Sequence, residues 1–396
     1  MRVIQIFGTM LPLSFVKLIR QVILMRCLYR HLLPLTTGGV LDGNAQVPKI
    51  SKVVHCRLCH SLTSSLYRKI MNLNFAVNQL SLYLSGRSFF ADVFARFPDG
   101  HIQKVSPLDT GTYYQAHVHP KGSHVVFFGN KIGPPRIWKA NFTTRDCIAL
   151  TQPTLGARHP AFSWDGSQIV FSAVSESGQK SERIEHMRSD GLPPADLMLN
   201  IFVMDIDGSN LQQLTWGPYQ DQRPFFSPDG NTIAFVSNRG GGRIRLFAVP
   251  TDGRDKPRPL QTSGWGYRPC FSVDGRWIFF VTGVNGRHQI CRMPSEGGGL
   301  SPLLNDDQGR SHGPFPDPNG QYLLMHSSRG GRYGIWELPF DGSPPRPIRL
   351  PGFKMAMHPT KAQNGTICFD VIRPTYLVRV LSLFKRWLKY IPKRIF

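Results

Sequence analysis

Arg223-Pro-Phe-Phe-Ser-Pro-Asp-Gly-Asn-Thr-Ile-Ala-Phe-Val-Ser237 is followed directly by Asn238-Arg-Gly-Gly-Gly-Arg-Ile-Arg-Leu-Phe-Ala-Val-Pro-Thr-Asp-Gly253. The first stretch reads as a short apolar strand, an Asp-Gly turn and a second strand with alternating apolar residues at Ile233 and Phe235. Asp-Gly between two such runs signals a hairpin, because Gly supplies positive φ without steric cost. The second stretch is another pair of short runs, meeting at Asp252-Gly253.

The pattern recurs. His159-Pro-Ala-Phe-Ser-Trp-Asp-Gly166 and Arg268-Pro-Cys-Phe-Ser-Val-Asp-Gly275 repeat the first half closely, and His312-Gly-Pro-Phe-Pro-Asp-Pro-Asn-Gly320 repeats it loosely. Weaker copies begin at Gln115 and Ala356, which makes six. The regular spacing is 45 residues, lengthened once by an insertion around Glu176–Leu199. The second half recurs at Ile201, Ile290 and Ile335, so each unit offers four short strands. Four strands per unit at this period is the pattern of a propeller blade. The 38 Gly and 32 Pro exclude a helical repeat of similar length.

Val93–Ser106 matches a second-half hairpin but precedes every first half, while the last first half, ending near Phe369, lacks one. These two remnants are expected to join in one composite blade, which leaves no open sheet edge. The expected fold is all-β, a six-bladed β-propeller over residues 92–371. It is flanked by a basic N-terminal extension (1–91) and a basic amphipathic C-terminal helix (372–396). The repeats, in particular F-S-x-D-G-x-x-I-x-F and Ile201-Phe-Val-Met-Asp-Ile-Asp-Gly-Ser-Asn-Leu-Gln-Gln-Leu-Thr215, resemble the TolB-type (WD40-like, PD40) propeller family. That resemblance implies the fold. It does not single out a function, since such propellers serve many roles, and the chain has no G-x-S-x-G nucleophile elbow of the kind that accompanies similar propellers in peptidases.

Of the net charge of +22, +10 lies before Asp92 and +7 after Asp370, leaving +5 for the propeller. A nucleic-acid-binding propeller would carry its excess on the domain, so nucleic acid is not an expected partner. Seven cysteines (27, 56, 59, 147, 270, 291, 368) form no disulfide framework; Cys270, Cys291 and Cys368 read as buried thiols. This leans towards a reducing, cytoplasmic setting, with organelle targeting or membrane association left open.

The N-terminal segment is Arg-rich and acid-poor, compatible with a transit peptide, and Met71 offers an alternative start. Cys56-Arg-Leu-Cys59-His60 has the spacing of a haem-attachment or zinc motif, but its surroundings are not those of a cytochrome, and no haem is expected. In the C-terminal segment, apolar residues at helical spacing alternate with Arg379, Lys385, Arg386 and Lys389 around Trp387. Such a helix either packs on the propeller or lies on an anionic membrane surface.

The first strand of each blade lines the axis. Aligning the repeats on their Phe places Gln115, His159, Arg223, Arg268 and His312 at one level, with His117, His119 and His358 further along. Such a ring can grip an anion, and His159 and His312 are candidate ligands for a divalent metal. With histidines titrating near neutrality, its hold on carboxylates should strengthen from about pH 8 to about pH 6. Its residue types resemble those of oligogalacturonate lyases, which implies, as the alternative, a lyase or hydrolase acting on an acidic carbohydrate. The leading expectation is a non-enzymatic scaffold that meets a protein or peptide through channel mouth and loops.

Overall fold

The computed structural model describes residues 89–374, apart from 108–110, 131–133, 175–197, 242, 262–263, 285–286 and 305–307. The Cys56/Cys59/His60 motif and the tail with Arg379, Lys385, Arg386, Trp387 and Lys389 therefore lie outside the described residues. Among those described, no helix is long and apolar enough to cross a membrane.

The described residues form six four-stranded antiparallel sheets. Five are continuous in sequence: blade 1 spans residues 112–149, blade 2 158–213, blade 3 222–259, blade 4 267–302 and blade 5 311–347. The sixth is composite. Strand β1 (Phe89–Arg96) pairs along its full length with β24 (Ile367–Pro374), so that Phe94 stands opposite Phe369. β2 (Ile102–Lys104) lies outside β1, and β23 (Ala356–Lys361) lies on the axis. The ring thus closes by hydrogen bonding between the two ends of the domain. Phe353 packs edge-on to both Phe94 and Phe369, at 4.8 and 5.7 Å between ring centroids.

The inner strands of the other blades are β3 (Thr112–Val118), β7 (Arg158–Phe162), β11 (Gln222–Phe226), β15 (Tyr267–Phe271) and β19 (Ser311–Pro316). Second strands carry the apolar runs that fill the space between blades: Phe127, Phe128, Phe171, Phe235 and Phe280 are all fully buried. Trp164 ties blade 2 to blade 3 by donating its indole N–H to the Phe226 carbonyl (3.0 Å).

The Asp-Gly turns are four-residue loops rather than the two-residue turns that the dipeptide suggests. Ser163 N–H donates to the Gln168 carbonyl and Gly166 N–H to the Ser163 carbonyl, with Gly166 at φ 81°. The Ser163 hydroxyl donates to Asp165 at 2.6 Å and accepts from Gln168 N–H at 3.0 Å. Ser227/Asp229 and Ser272/Asp274 repeat the device, so these carboxylates serve turns. Cys270, Cys291 and Cys368 are buried free thiols; burial pushes the Cys291 thiol up to about 11.

Candidate functional site: a blind basic pocket on the axis

Each inner strand carries a bulge at the same place, where pairing with the second strand shifts register. One residue per bulge adopts a left-handed backbone: Gln115 (φ 52°), His159 (57°), Arg223 (55°), Arg268 (56°), Gly313 (59°) and His358 (53°). A proline follows five of the six. The bulge leaves one backbone amide without a ladder partner, and proline has none to lose. The left-handed conformation costs a non-glycine residue roughly 1–2 kcal/mol, so five inner strands hold strained backbone at one level of the axis.

The structure therefore brings together Gln115, His159, Arg223 and Arg268 as the sequence places them, but not His312. His312 precedes the bulge by one residue. In blades 2, 3 and 4 the aligned Phe162, Phe226 and Phe271 stand opposite Ile169, Ile233 and Ile278, whereas in blade 5 it is Pro316 that takes this place, opposite Leu323, and Phe315 lies one step earlier. Gly313 is the ring member there. A Cβ on it would meet the His326 ring at 2.8 Å, so His326 occupies the space of the missing side chain. The sixth member is His358, which the sequence reading sets further along.

These residues line a cavity of about 550 Å³, open solvent at its mouth included. Its floor lies two residues further along each inner strand. There the blades alternate large and small: His117, Ala161, Phe225, Cys270, Phe315 and Thr360. The rings of His117, Phe225 and Phe315 meet on the axis, with centroids 5.3 to 6.0 Å apart. Beyond this plug is a second, more apolar cavity among the hairpin turns, lined by Trp164, Val273 and Lys361. The channel is thus two blind pockets, and the basic one opens on the face of the longer loops.

A buried carboxylate organises the basic pocket from behind. Asp370 on β24 is fully buried and accepts from the backbone N–H groups of Gln115 (2.7 Å) and Ala116 (3.4 Å). His358 Nδ1 lies 2.6 Å from Asp370, and its Nε2 lies 2.6 Å from an Arg268 Nη. Arg268 can only donate, so Nε2 accepts and Nδ1 carries the proton given to Asp370. Burial pushes the Asp370 carboxyl up to about 7, against the two backbone N–H groups and Arg268. The guanidinium of Arg223 lies 4.3 Å over the Tyr267 ring, and that of Arg268 5.5 Å from the same ring. Both ring nitrogens of His159, itself 4% exposed, are buried without a hydrogen-bond partner.

The histidines do not titrate near neutrality. Burial holds His159, His326 and His358 well below the usual imidazole range, and neighbouring guanidinium groups lower them further. His117 and His312 are pushed down to about 3, mainly by burial. All five are neutral at pH 7, and any pH response of the pocket must come from elsewhere. No three His, Cys, Asp or Glu side chains among the described residues converge on a point that could hold a metal ion. His159 and His312, the candidate metal ligands of the sequence, belong to no such group among the described residues.

Residues 194–357 match the family model of the TolB beta propeller domain. Over those residues the propeller is of the TolB type. The Protein TolB homolog of Chlorobium chlorochromatii is 29% identical over 140 residues, which is 30% of this chain and 32% of that protein. The Tol-Pal system protein TolB of Bordetella pertussis is 25% identical over 200 residues, 50% of this chain and 41% of that protein. The match thus spans less than half of either TolB relative. Among solved structures, the putative TolB from Agrobacterium tumefaciens is similar with a TM-score of 0.56 at 16% identity, over 73% of this chain and 100% of that one. At that identity the likeness concerns the TolB-type fold alone.

Proposed function

We propose that the protein is a non-enzymatic TolB-type scaffold that binds a protein partner on the face where the basic pocket opens. The observation that carries this reading is the pocket itself, a blind, strained, polar depression at the centre of a loop-rich face. The loop leading into blade 3 presents Trp216 on the same face, 59% exposed, and a large aromatic beside a polar socket suits a protein interface. One relative's name places it in the Tol-Pal system, and several polypeptides working together are what a scaffold would serve. The alternative, a lyase or hydrolase acting on an acidic carbohydrate, is less favoured because the matched relatives are TolB proteins.

The test is site-specific photo-crosslinking in the source cell, with the full chain carrying the photoreactive residue at Trp216 or Arg243 on this face, or at Ser167 or Arg276 among the opposite turns. The reading expects one discrete protein adduct from the first pair and none from the second. Adducts from both faces alike, or from neither, would refute it.

A further inference from the structure

The two ends of the propeller differ in charge. The hairpin turns at one end, which join first to second strands and third to fourth, carry eleven acidic and five basic side chains. At the other end, where the basic pocket opens, the charge is itself divided. Over blades 3 to 6, loops 238–244, 303–310, 328–333 and 348–355 carry six Arg and one Lys against Asp306 and Asp307, and loops 260–266 and 285–286 carry no charge. Over blades 1 and 2 and the entry to blade 3, loops 105–111, 131–135, 150–157, 174–199 and 214–221 carry four basic and seven acidic side chains. Arg239 turns inward to the buried Asp221, and Arg329 lies over Trp336. Arg243, Arg310, Arg332, Arg349 and Lys354 are exposed, in an arc that runs from blade 3 round to the closing blade.

We infer that this arc is the docking surface for an acidic patch on the protein partner, which it orients over blades 3 to 6. This rests on the proposed protein-binding role of the face and names the chemistry of what binds there. The division of the face decides between classes of anion. A bilayer or a nucleic acid duplex is anionic wherever it touches, so over blades 1 and 2 either would meet loops with an acidic excess. A protein surface can be acidic where it meets the arc and apolar where it meets the exposed Trp216 of loop 214–221. The preponderance of arginine fits the same reading, because its fork takes a carboxylate by two N–H groups at once, and Arg is enriched and Lys depleted at protein interfaces. Exposed rim charges act chiefly on the rate and direction of encounter. The arc therefore steers the partner, and the central depression and Trp216 receive it.

The test compares two full-length variants of equal net charge. Arg332→Glu with Arg349→Glu reverses the arc, and Lys121→Glu with Arg254→Glu reverses two exposed cations among the opposite turns. Each carries the photoreactive residue at Trp216, outside the arc, and is crosslinked in the source cell. Like charges then face each other across the arc, so its variant should give about tenfold less protein adduct than the unreversed chain. The turn variant should give as much as the unreversed chain, and thermal melting should be unchanged in both. Mass spectrometry of the adduct formed from Arg243, on the arc itself, should find a partner segment rich in Asp and Glu. An undiminished adduct in the arc variant, an equal loss in both variants, or a partner segment without acidic excess overturns the inference and leaves the protein-binding reading standing. No adduct from the unreversed chain refutes that reading and the inference with it. The purified chains are also sedimented with vesicles of phosphatidylcholine and phosphatidylglycerol and mixed with a short DNA duplex. Binding to either that is lost in the arc variant alone, with the cell adduct unchanged, would assign the arc to lipid or nucleic acid and overturn the acidic protein.

Discussion

His358 gives its Nδ1 proton to Asp370 at 2.6 Å, joining the innermost strand of the closing blade to the strand beside it. The pair carries a net negative charge when Asp370 is ionised, and it faces Arg268 of blade 4, His326 of blade 5, and Tyr114 and the amides of Gln115 and Ala116 in blade 1. Burial pushes Asp370 up to about 7, and burial together with Asp370 pushes the Tyr114 phenol up to about 12. A proton taken up by the pair removes the negative charge behind the pocket and leaves the arginines less compensated.

Proton uptake behind the pocket should therefore run through Asp370. As pH falls from about 8 to about 6, the native chain is expected to take up about one proton more than Asp370→Asn does. That direction matches the one expected from titrating ring histidines, but the group responsible differs. Equal uptake by the two chains, measured by potentiometric titration, would point back to a histidine.

Stability should follow the opposite course. Five histidines, three buried (His117, His159 and His326) and two partly buried (His312 and His358), have native pKa values below their unfolded value, so between the two the unfolded chain binds more protons and stability is lost as pH falls. At about pH 5.5 each such histidine contributes roughly 1.4 kcal/mol of destabilisation relative to neutral pH. Asp370, raised rather than lowered, works the other way: between the ordinary carboxylate range and about pH 7 the native state holds the extra proton, so its contribution to folding is lost as pH rises to about 7 and regained as pH falls through that interval. Five groups outweigh one. Urea unfolding is expected to show a steep loss of stability between about pH 6.5 and 5, reduced by about one proton in His312→Gln.

The blades, their number and the closing hairpin were legible because each rests on local chemistry: Asp-Gly turns, alternating apolar strands and an unmatched half-repeat at either end. The ring was legible only in part. Its marker is the residue before proline at the bulge, and in blade 5 an alignment on Phe315 hides it, since the proline of Gly313-Pro314 is the better guide. Asp370 could not be found this way, because its partners Gln115 and Ala116 are 255 and 254 residues distant and only blade closure brings them near. Arg239 stands beside Gly240, where the dipeptide suggests only a turn. It forms an ion pair with the fully buried Asp221 and stacks 4.5 Å over Tyr219. Nothing in the repeat says that the arginine turns inward, since the acid it meets precedes it by a whole hairpin.

Strain at the bulges predicts an unusual order among substitutions. At His159, where φ is 57°, glycine should be more stable than alanine by about 1 kcal/mol, because only glycine is free of the left-handed penalty. Gly313→Ala should be costly in the same way, and doubly so because its Cβ would meet the His326 ring at 2.8 Å. Chemical denaturation of the three variants checks both statements. A His159→Ala protein as stable as His159→Gly would mean that the left-handed backbone is not held in solution.

The plug makes a prediction about the axis itself. His117, Phe225 and Phe315 come from alternate blades, and Ala161, Cys270 and Thr360 between them are small enough to let the three rings meet. Phe225 is 8% exposed and touches both other rings as well as Trp164, at 6.4 Å between centroids. Truncating it to alanine removes a buried ring from a site whose walls are six separate blades, so little can collapse into the gap. The cost should fall near the usual range for such a change, about 3–5 kcal/mol. The melting temperature should drop by about 2–4 °C for each kcal/mol. The same variant should connect the two cavities, which a larger ring refilling the gap, Phe225→Tyr, should not do. A loss under about 1 kcal/mol would mean that the rings do not seal the axis, and that the basic pocket is open at both ends.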